Sequence, residues 1–221
     1  MNVTGFKKQL KTQLRHSKED IDKKGFARRV ARNEQMLVQP ILEKIIAIPD
    51  PKTPRVIAID GRAAAGKTTI ATILSAVLKA DVIRMDDFFL PPGLRTPERY
   101  AQSGGNIHYE RFCLEVLPFL KQAKEFSYRS FSCKTNSFTE SRLIQSDLWR
   151  IVEGSYSNHP KFGNYADFKV FCDVSPEEQM QRIIKRNGES MAGTFQTKWI
   201  PLENKYFATG RIKEKADLVI E

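Results

Sequence analysis

Little in this chain could form a covalent or metal-based framework. The 221 residues hold three cysteines, Cys113, Cys133 and Cys172, an odd number with no C-x-x-C spacing. That excludes a disulfide scaffold and fits free thiols in a reducing compartment. His16, His108 and His159 are scattered without ligand spacing, so no structural zinc site is expected. No apolar run approaches the roughly 20 residues that a membrane span needs. Met1 to Lys18 is charged and has no apolar h-region, so no secretory leader is expected and the cytoplasm is the expected location.

Positive charge is in excess, a formal +10. Such a balance suits nucleic acid, but a protein that handles triphosphates also needs cations around its site. Nucleic acid and membranes are therefore not expected as partners, and a small-molecule acceptor is; self-association is compatible with the sequence. The length allows one substantial core plus a small appendage. Residues 1–32 are dense in Lys and Arg, with Phe6, Leu10 and Leu14 at helical spacing, and read as a basic helical extension. Residues 33–221 would form the main domain.

What the chain does carry is Gly61-Arg62-Ala63-Ala64-Ala65-Gly66-Lys67-Thr68, which fits the phosphate-binding pattern G-x-x-x-x-G-K-[ST]. The glycines permit close backbone approach to a phosphate, and successive N–H groups form an anion nest backed by the positive end of the following helix. Lys67 brings a mobile point charge, and Thr68 a hydroxyl for Mg²⁺. Gly61, Arg62, Ala63, Ala64, Ala65, Gly66, Lys67, Thr68 and Thr69 are thus the expected nucleotide-binding residues. Context supports the motif. Arg55–Asp60 reads as a buried strand, and Ile70, Ile73, Leu74, Val77 and Leu78 mark one face of a helix.

Further strands are expected at 81–85, 148–152, 168–174 and 216–220, and a hairpin within 127–146. Met36, Leu37, Ile41, Leu42, Ile45 and Ile46 suggest a helix before the Pro49-Asp50-Pro51 linker, and Phe112, Val116, Leu117 and Leu120 another. Ser175-Pro176-Glu177-Glu178 is a helix start of the capping-box type, with Met180, Ile183 and Ile184 expected on the buried face. Strands alternating with helices predict an α/β fold on a parallel sheet, with ligands at the strands' C-terminal ends.

Three acidic sites follow strands: Asp60, Asp86-Asp87 and Glu153. Asp86, ahead of the aromatics Phe88 and Phe89, is the candidate base for an acceptor hydroxyl; Glu153, ending a Walker-B-like strand, is with Thr68 the candidate Mg²⁺ ligand. Arg182, Lys185 and Arg186 would be lid cations over about 182–200, with Gly188 and Gly193 as hinges. Arg182 and Arg186 lie one helical turn apart and can face the same phosphates.

Gly61–Thr68, Asp86-Asp87-Phe88-Phe89, Glu153-Gly154-Ser155-Tyr156 and the basic helix before Gly188 together resemble the uridine kinase-like P-loop kinases, a group that also includes phosphoribulokinase and pantothenate kinase relatives. Arg95–Arg99, Gly104-Gly105-Asn106 and Trp199–Glu203 are most similar to a bacterial uridine kinase-like subgroup. The resemblance implies a P-loop NTPase, nucleoside-monophosphate-kinase-like fold of three layers on a parallel five-stranded sheet with a small lid. It also implies ATP-dependent, Mg²⁺-assisted phosphorylation of a small-molecule hydroxyl, with a nucleoside such as uridine or cytidine as the leading acceptor. It makes Asp86 and Lys67 catalytic together with Arg182, Lys185 and Arg186. Asp86, Phe88, Phe89, His108, Tyr109 and Tyr156 would contact the acceptor. The sequence departs from the family at His108 and Ser132, where acids are usual, and in lacking a run of arginines after the lid helix; these changes bear on the acceptor, not on phosphate handling. The competing expectation is a P-loop regulator or NTPase that phosphorylates nothing and works with nucleic acid or a protein. No Asn-Lys-x-Asp motif for guanine is present.

Overall fold

A computed structural model describes residues 26–48, 53–146 and 148–221, with backbone alone for 26–35 and 47. The expected extension therefore lies mostly outside the described residues. Its last part belongs to helix α1 (Phe26–Ala47), which passes 32/33 without a break, so the expected domain boundary falls inside one helix. The buried face of α1 is Val38, Ile41, Leu42 and Ile45; Met36 and Leu37, expected on it, are exposed.

Strands β1 (Arg55–Gly61), β2 (Asp81–Arg84), β5 (Trp149–Glu153), β6 (Phe168–Cys172) and β7 (Leu218–Ile220) form one sheet in the order β2-β5-β1-β6-β7, and every pairing is parallel. A sheet covered on both faces needs strands that are apolar on both sides. β1 meets this: Ile57 and Ile59 face one cluster with α1 and helix α2 (Lys67–Leu78), while Val56 and Ala58 face another. That second cluster includes Phe112 of helix α4 (Tyr109–Glu115) and Tyr206 and Phe207 of helix α7 (Ile200–Gly210). The result is three layers, helix on sheet on helix.

The hairpin is present as β3 (Phe126–Ser132) and β4 (Ser137–Ile144), a separate two-stranded sheet. Residues 90–108, whose Pro91-Pro92-Gly93 and Gly104-Gly105 read as a long loop in the sequence, carry helix α3 (Pro97–Ala101), N-capped by Thr96. Helix α5 (Pro176–Asn187) starts as expected, with Ser175 Oγ accepting from the Glu178 N–H at 3.2 Å. Its inner face is Gln179 and Ile183, whereas Ile184 is exposed. Beyond Gly188 (φ 81°) come helix α6 (Glu189–Thr194), a π-turn over Phe195–Trp199, and α7. The stretch expected to be a lid is thus almost wholly helical, and Gly193 lies inside α6.

Candidate active site

Because β2, β5 and β1 are adjacent and parallel, their C-terminal ends share one edge, with Arg84 and Ile59 both registered against Glu153. Three functional segments therefore converge there: the P-loop after β1, Asp86 after β2 and Glu153 at the end of β5.

The P-loop leaves β1 at Gly61 (φ 133°), where a Cβ would lie 2.0 Å from the Cys172 carbonyl oxygen. Only glycine fits so close to the neighbouring strand. Gly66 (φ 88°) then N-caps α2, leaving the helix's first N–H groups and positive dipole end facing the loop. Lys67 Nζ donates to the carbonyls of Gly61 at 2.8 Å and Arg62 at 2.6 Å, so its charge is folded over the loop.

Asp60 is fully buried and accepts four hydrogen bonds: from the N–H groups of Gly61 (2.8 Å), Tyr156 (3.1 Å) and Asn158 (2.8 Å), and from the Tyr206 hydroxyl (2.6 Å). Burial raises its pKa against these bonds. With every lone pair engaged, it is an anchor of the strand ends and not a group free for chemistry.

Asp86 sits in a short 3-10 turn, Met85–Phe88. Solvent reaches its side chain, yet protein surrounds it closely, as on the floor of a cleft. Accessibility decides whether an acceptor can meet it; the surrounding mass decides its acidity. That desolvation raises its pKa, the Lys67 charge opposes the rise, and Arg186 and Arg84 pull in the same direction as Lys67. A carboxylate in the field of several cations and open to solvent can accept a proton from a bound hydroxyl.

Thr68 Oγ1 lies 3.4 Å and 3.5 Å from the two oxygens of Glu153. Glu153 is buried, its pKa raised first by desolvation and then by the Asp86 charge, and Arg84 stands 3.9 Å away. Mg²⁺ in phosphoryl-transfer sites commonly uses one or two protein oxygens, with phosphate and water completing its shell. A hydroxyl and a carboxylate side by side fit that demand. Among the described residues no group of three or more His, Cys, Asp or Glu side chains could hold a metal by itself.

No protein-family model matches the chain. A pantothenate kinase from Histophilus somni is 27% identical over 173 residues, which cover 69% of this chain and 55% of that protein. The chain thus spans about half the length of the curated relatives it matches. Among solved structures, one described as a possible uridine kinase from Bacillus stearothermophilus superposes with a TM-score of 0.65 at 21% identity, covering 85% of this chain and 98% of that one. A provisionally assigned fructose transport system kinase from Silicibacter gives 0.67 at 20% identity, with 85% and 98% covered. The fold is that of the P-loop kinases.

Within that P-loop kinase fold the expected site residues divide. Gly61 to Thr69, Asp86 and Glu153 gather at one edge of the sheet. Arg182 reaches the loop, Nη1 donating to the Ala64 carbonyl at 3.2 Å, while Nη2 pairs with Glu178 at 2.5 Å. Arg186 hydrogen-bonds Asn187 at 2.8 Å and contributes to the field at Asp86; Lys185 is exposed. Others are core side chains. Phe88 is fully buried between Phe112 and Tyr128, and Tyr156 packs on Tyr206. Tyr109 is buried with its hydroxyl held by Arg99 (2.7 Å) and Gln102 (3.0 Å). An acceptor cannot use these faces as they stand, because aromatic and guanidinium partners already cover them. Phe89 is half-buried and paired through a single β-bridge with Ile107.

His108 caps α4, with Nδ1 3.1 Å from Glu110, and borders an open cavity of about 470 Å³ lined also by Leu94, Thr96, Arg99 and Gln102. No P-loop residue, nor Asp86 or Glu153, lines that cavity, so it is not the phosphate cleft. Sequence reasoning missed Arg84, Ser155, Gln179 and Glu203. Ser155 Oγ donates to the Gly61 carbonyl at 2.9 Å. Its place beside Glu153-Gly154 was a usable signal, as was the place of Glu203 at the end of the Trp199–Glu203 stretch; Gln179, a lone polar position in a helix, offered none.

Proposed function

We propose that this protein is an ATP- and Mg²⁺-dependent phosphotransferase acting on a hydroxyl of a small-molecule acceptor. The observation that carries the reading is the meeting of a P-loop after β1 with an accessible Asp86 after β2, in the field of Lys67, Arg84 and Arg186, and with Glu153 on the strand between them. The P-loop amides and Lys67 would hold the triphosphate. Thr68 and Glu153 would hold Mg²⁺, which supplies charge neutralisation to the phosphates. Asp86 takes the acceptor's hydroxyl proton as the acceptor oxygen bonds to the γ-phosphorus and the bond to the β–γ bridging oxygen breaks, giving ADP and a phosphate monoester. Arg182, Lys185 and Arg186 add charge on the moving group.

The similarity to pantothenate kinases and the likeness to uridine kinase-like motifs support a small hydroxyl-bearing molecule as the acceptor, and uridine and cytidine are the first candidates to test. The test is ADP release with Mg-ATP against nucleosides, pantothenate and sugar phosphates, with Asp86→Asn alongside. The expected result is one acceptor that raises turnover in the wild type and not in the variant. Hydrolysis insensitive to every acceptor but stimulated by nucleic acid or a protein would overturn it in favour of a regulator.

A further inference from the structure

Glu203 is an acid in a place that normally excludes acids. It lies on α7, is 3% exposed, and burial raises its pKa despite the nearby Lys67 charge. A carboxylate so placed survives only if its oxygens find donors. Both do. Oε2 accepts the Ala63 N–H of the P-loop at 3.0 Å, and Oε1 accepts from Gln179 Nε2 at 2.6 Å. Gln179, on α5 and 1% exposed, also donates to the Ala63 carbonyl at 3.2 Å. The backbone N–H and C=O of one P-loop residue are thus held by two side chains from two helices.

Its neighbours are held from the same helices. Arg62 Nη1 donates to Asn204 of α7 at 2.6 Å, and Arg182 of α5 donates to the Ala64 carbonyl at 3.2 Å. Residues 62–64 are therefore fastened, one after another, to α5 and α7. These are the helices that bracket the stretch 188–199, entered through Gly188 at φ 81°. An N–H already given to Glu203 is not available to a phosphate, so its purpose lies in shaping the loop for the amides that are.

We propose that Glu203, with Gln179, is a positioning pair that transmits the placement of α5 and α7 to the P-loop, fixing its backbone in the phosphate-binding shape. This rests on the reading above that the loop binds a nucleoside triphosphate. Displacement of either helix would pull on Ala63, and the loop would lose its shape for phosphate before the core loses any packing.

The test uses the full chain and Glu203→Gln, which keeps the shape but cannot accept both donors. Calorimetry should show the Kd for Mg-ATP raised about tenfold, the size expected for a lost charge-assisted hydrogen bond. Amide exchange at residues 62–64 should quicken in the nucleotide-free variant by more than any fall in its global stability accounts for, since the loop is released from its two helices. A purely structural role would instead leave loop exchange in step with the rest of the core. Gln179→Ala approaches the same knot from α5, should weaken nucleotide binding likewise, and carries the test if Glu203→Gln does not fold. Wild-type affinity and unchanged exchange at 62–64 in a folded variant would overturn the proposal. Absence of nucleotide binding by the wild type would instead overturn the functional reading on which it rests.

Discussion

Asp86 and Asp87 are consecutive in the chain, and their carboxylates enter opposite environments. Asp86 is open to solvent beside Lys67, Arg84 and Arg186. Asp87 is 5% exposed and accepts from Ser130 Oγ at 2.6 Å, Tyr128 Oη at 2.9 Å and Arg142 Nε at 2.8 Å. The 3-10 turn makes the division: it sends one acid to the cleft and plants the other in the β3–β4 hairpin. Position rather than residue type separates the candidate base from the anchor.

Asp87→Ala should therefore be a stability variant. It leaves two buried hydroxyls, Tyr128 and Ser130, without their acceptor, at a cost of about 2–3 kcal/mol. Urea unfolding would show the loss. Asp86→Asn should behave in reverse, abolishing acceptor-dependent turnover without lowering stability, because it removes an acid whose folded-state pKa is raised by desolvation.

How far the sequence reaches follows from which residues act locally. The P-loop's spacing, the Ser175 cap and the five strands were readable because each depends on neighbours within a few positions. Tyr156 and Phe88 were misplaced because motif proximity does not say which way a side chain points. The turn at Tyr156 (φ 80°) and the Phe88 stack on Tyr128 are products of tertiary packing. The anchoring role of Asp60 is not legible in the sequence because three of its four partners, Tyr156, Asn158 and Tyr206, lie 96, 98 and 146 residues along the chain. The Ala63–Glu203 bond, 140 residues apart, is beyond local pattern for the same reason.

Glu153, proposed above to hold Mg²⁺ with Thr68, also carries proton-linked stability. Its folded-state pKa is above the ordinary 4.5, so the folded chain holds this proton more tightly than the unfolded one. The sign follows: the stability contributed by this group is greatest in acid and falls as pH rises through the interval from 4.5 upward. Glu153→Gln should thus unfold at an equal or higher temperature at pH 7. In the same variant the Mg²⁺ concentration for half-maximal activity should rise about tenfold, in the range seen when groups at a metal site are altered. A variant that unfolds earlier and keeps its Mg²⁺ requirement would place Glu153 in the core scaffold alone.

Gly61→Ala should not be tolerated. Its Cβ would sit 2.0 Å from the Cys172 carbonyl oxygen and 2.7 Å from the Cys172 nitrogen, both backbone atoms of the paired strand β6. The residue also keeps φ at 133°, which side chains rarely adopt. Clash and strain together should cost more than about 3 kcal/mol. Gly66→Ala separates the two effects, since its Cβ would meet nothing within 4 Å and only the positive φ of 88° opposes it. Thermal melts of the pair should therefore show a large fall for Gly61→Ala and a smaller one for Gly66→Ala.

His159 gives the fold an acid limb of its own. It is 2% exposed, stacked between Tyr109 and Tyr206, and N-caps the 3-10 turn Pro160–Phe162 by accepting the Lys161 N–H at Nδ1, 3.1 Å away. Nε2, 3.3 Å from the Ser103 carbonyl, then carries the proton as donor. A second proton would have to displace the Lys161 N–H, and desolvation depresses the pKa from 6.5 to about 4. The unfolded chain therefore binds this proton first. Stability from His159 is complete above pH 6.5 and is lost as pH falls towards about 4, a span worth about 3 kcal/mol. Asp60, Asp86, Glu153 and Glu203, with raised values, push the other way at the acid end, so the wild-type curve alone mixes both signs. The difference between wild type and His159→Gln isolates the histidine. The variant should be less stable at pH 7.5, and the gap should close as pH falls from 6.5 to about 4 in urea titrations; a gap constant across that range would mean that His159 carries no proton-linked stability.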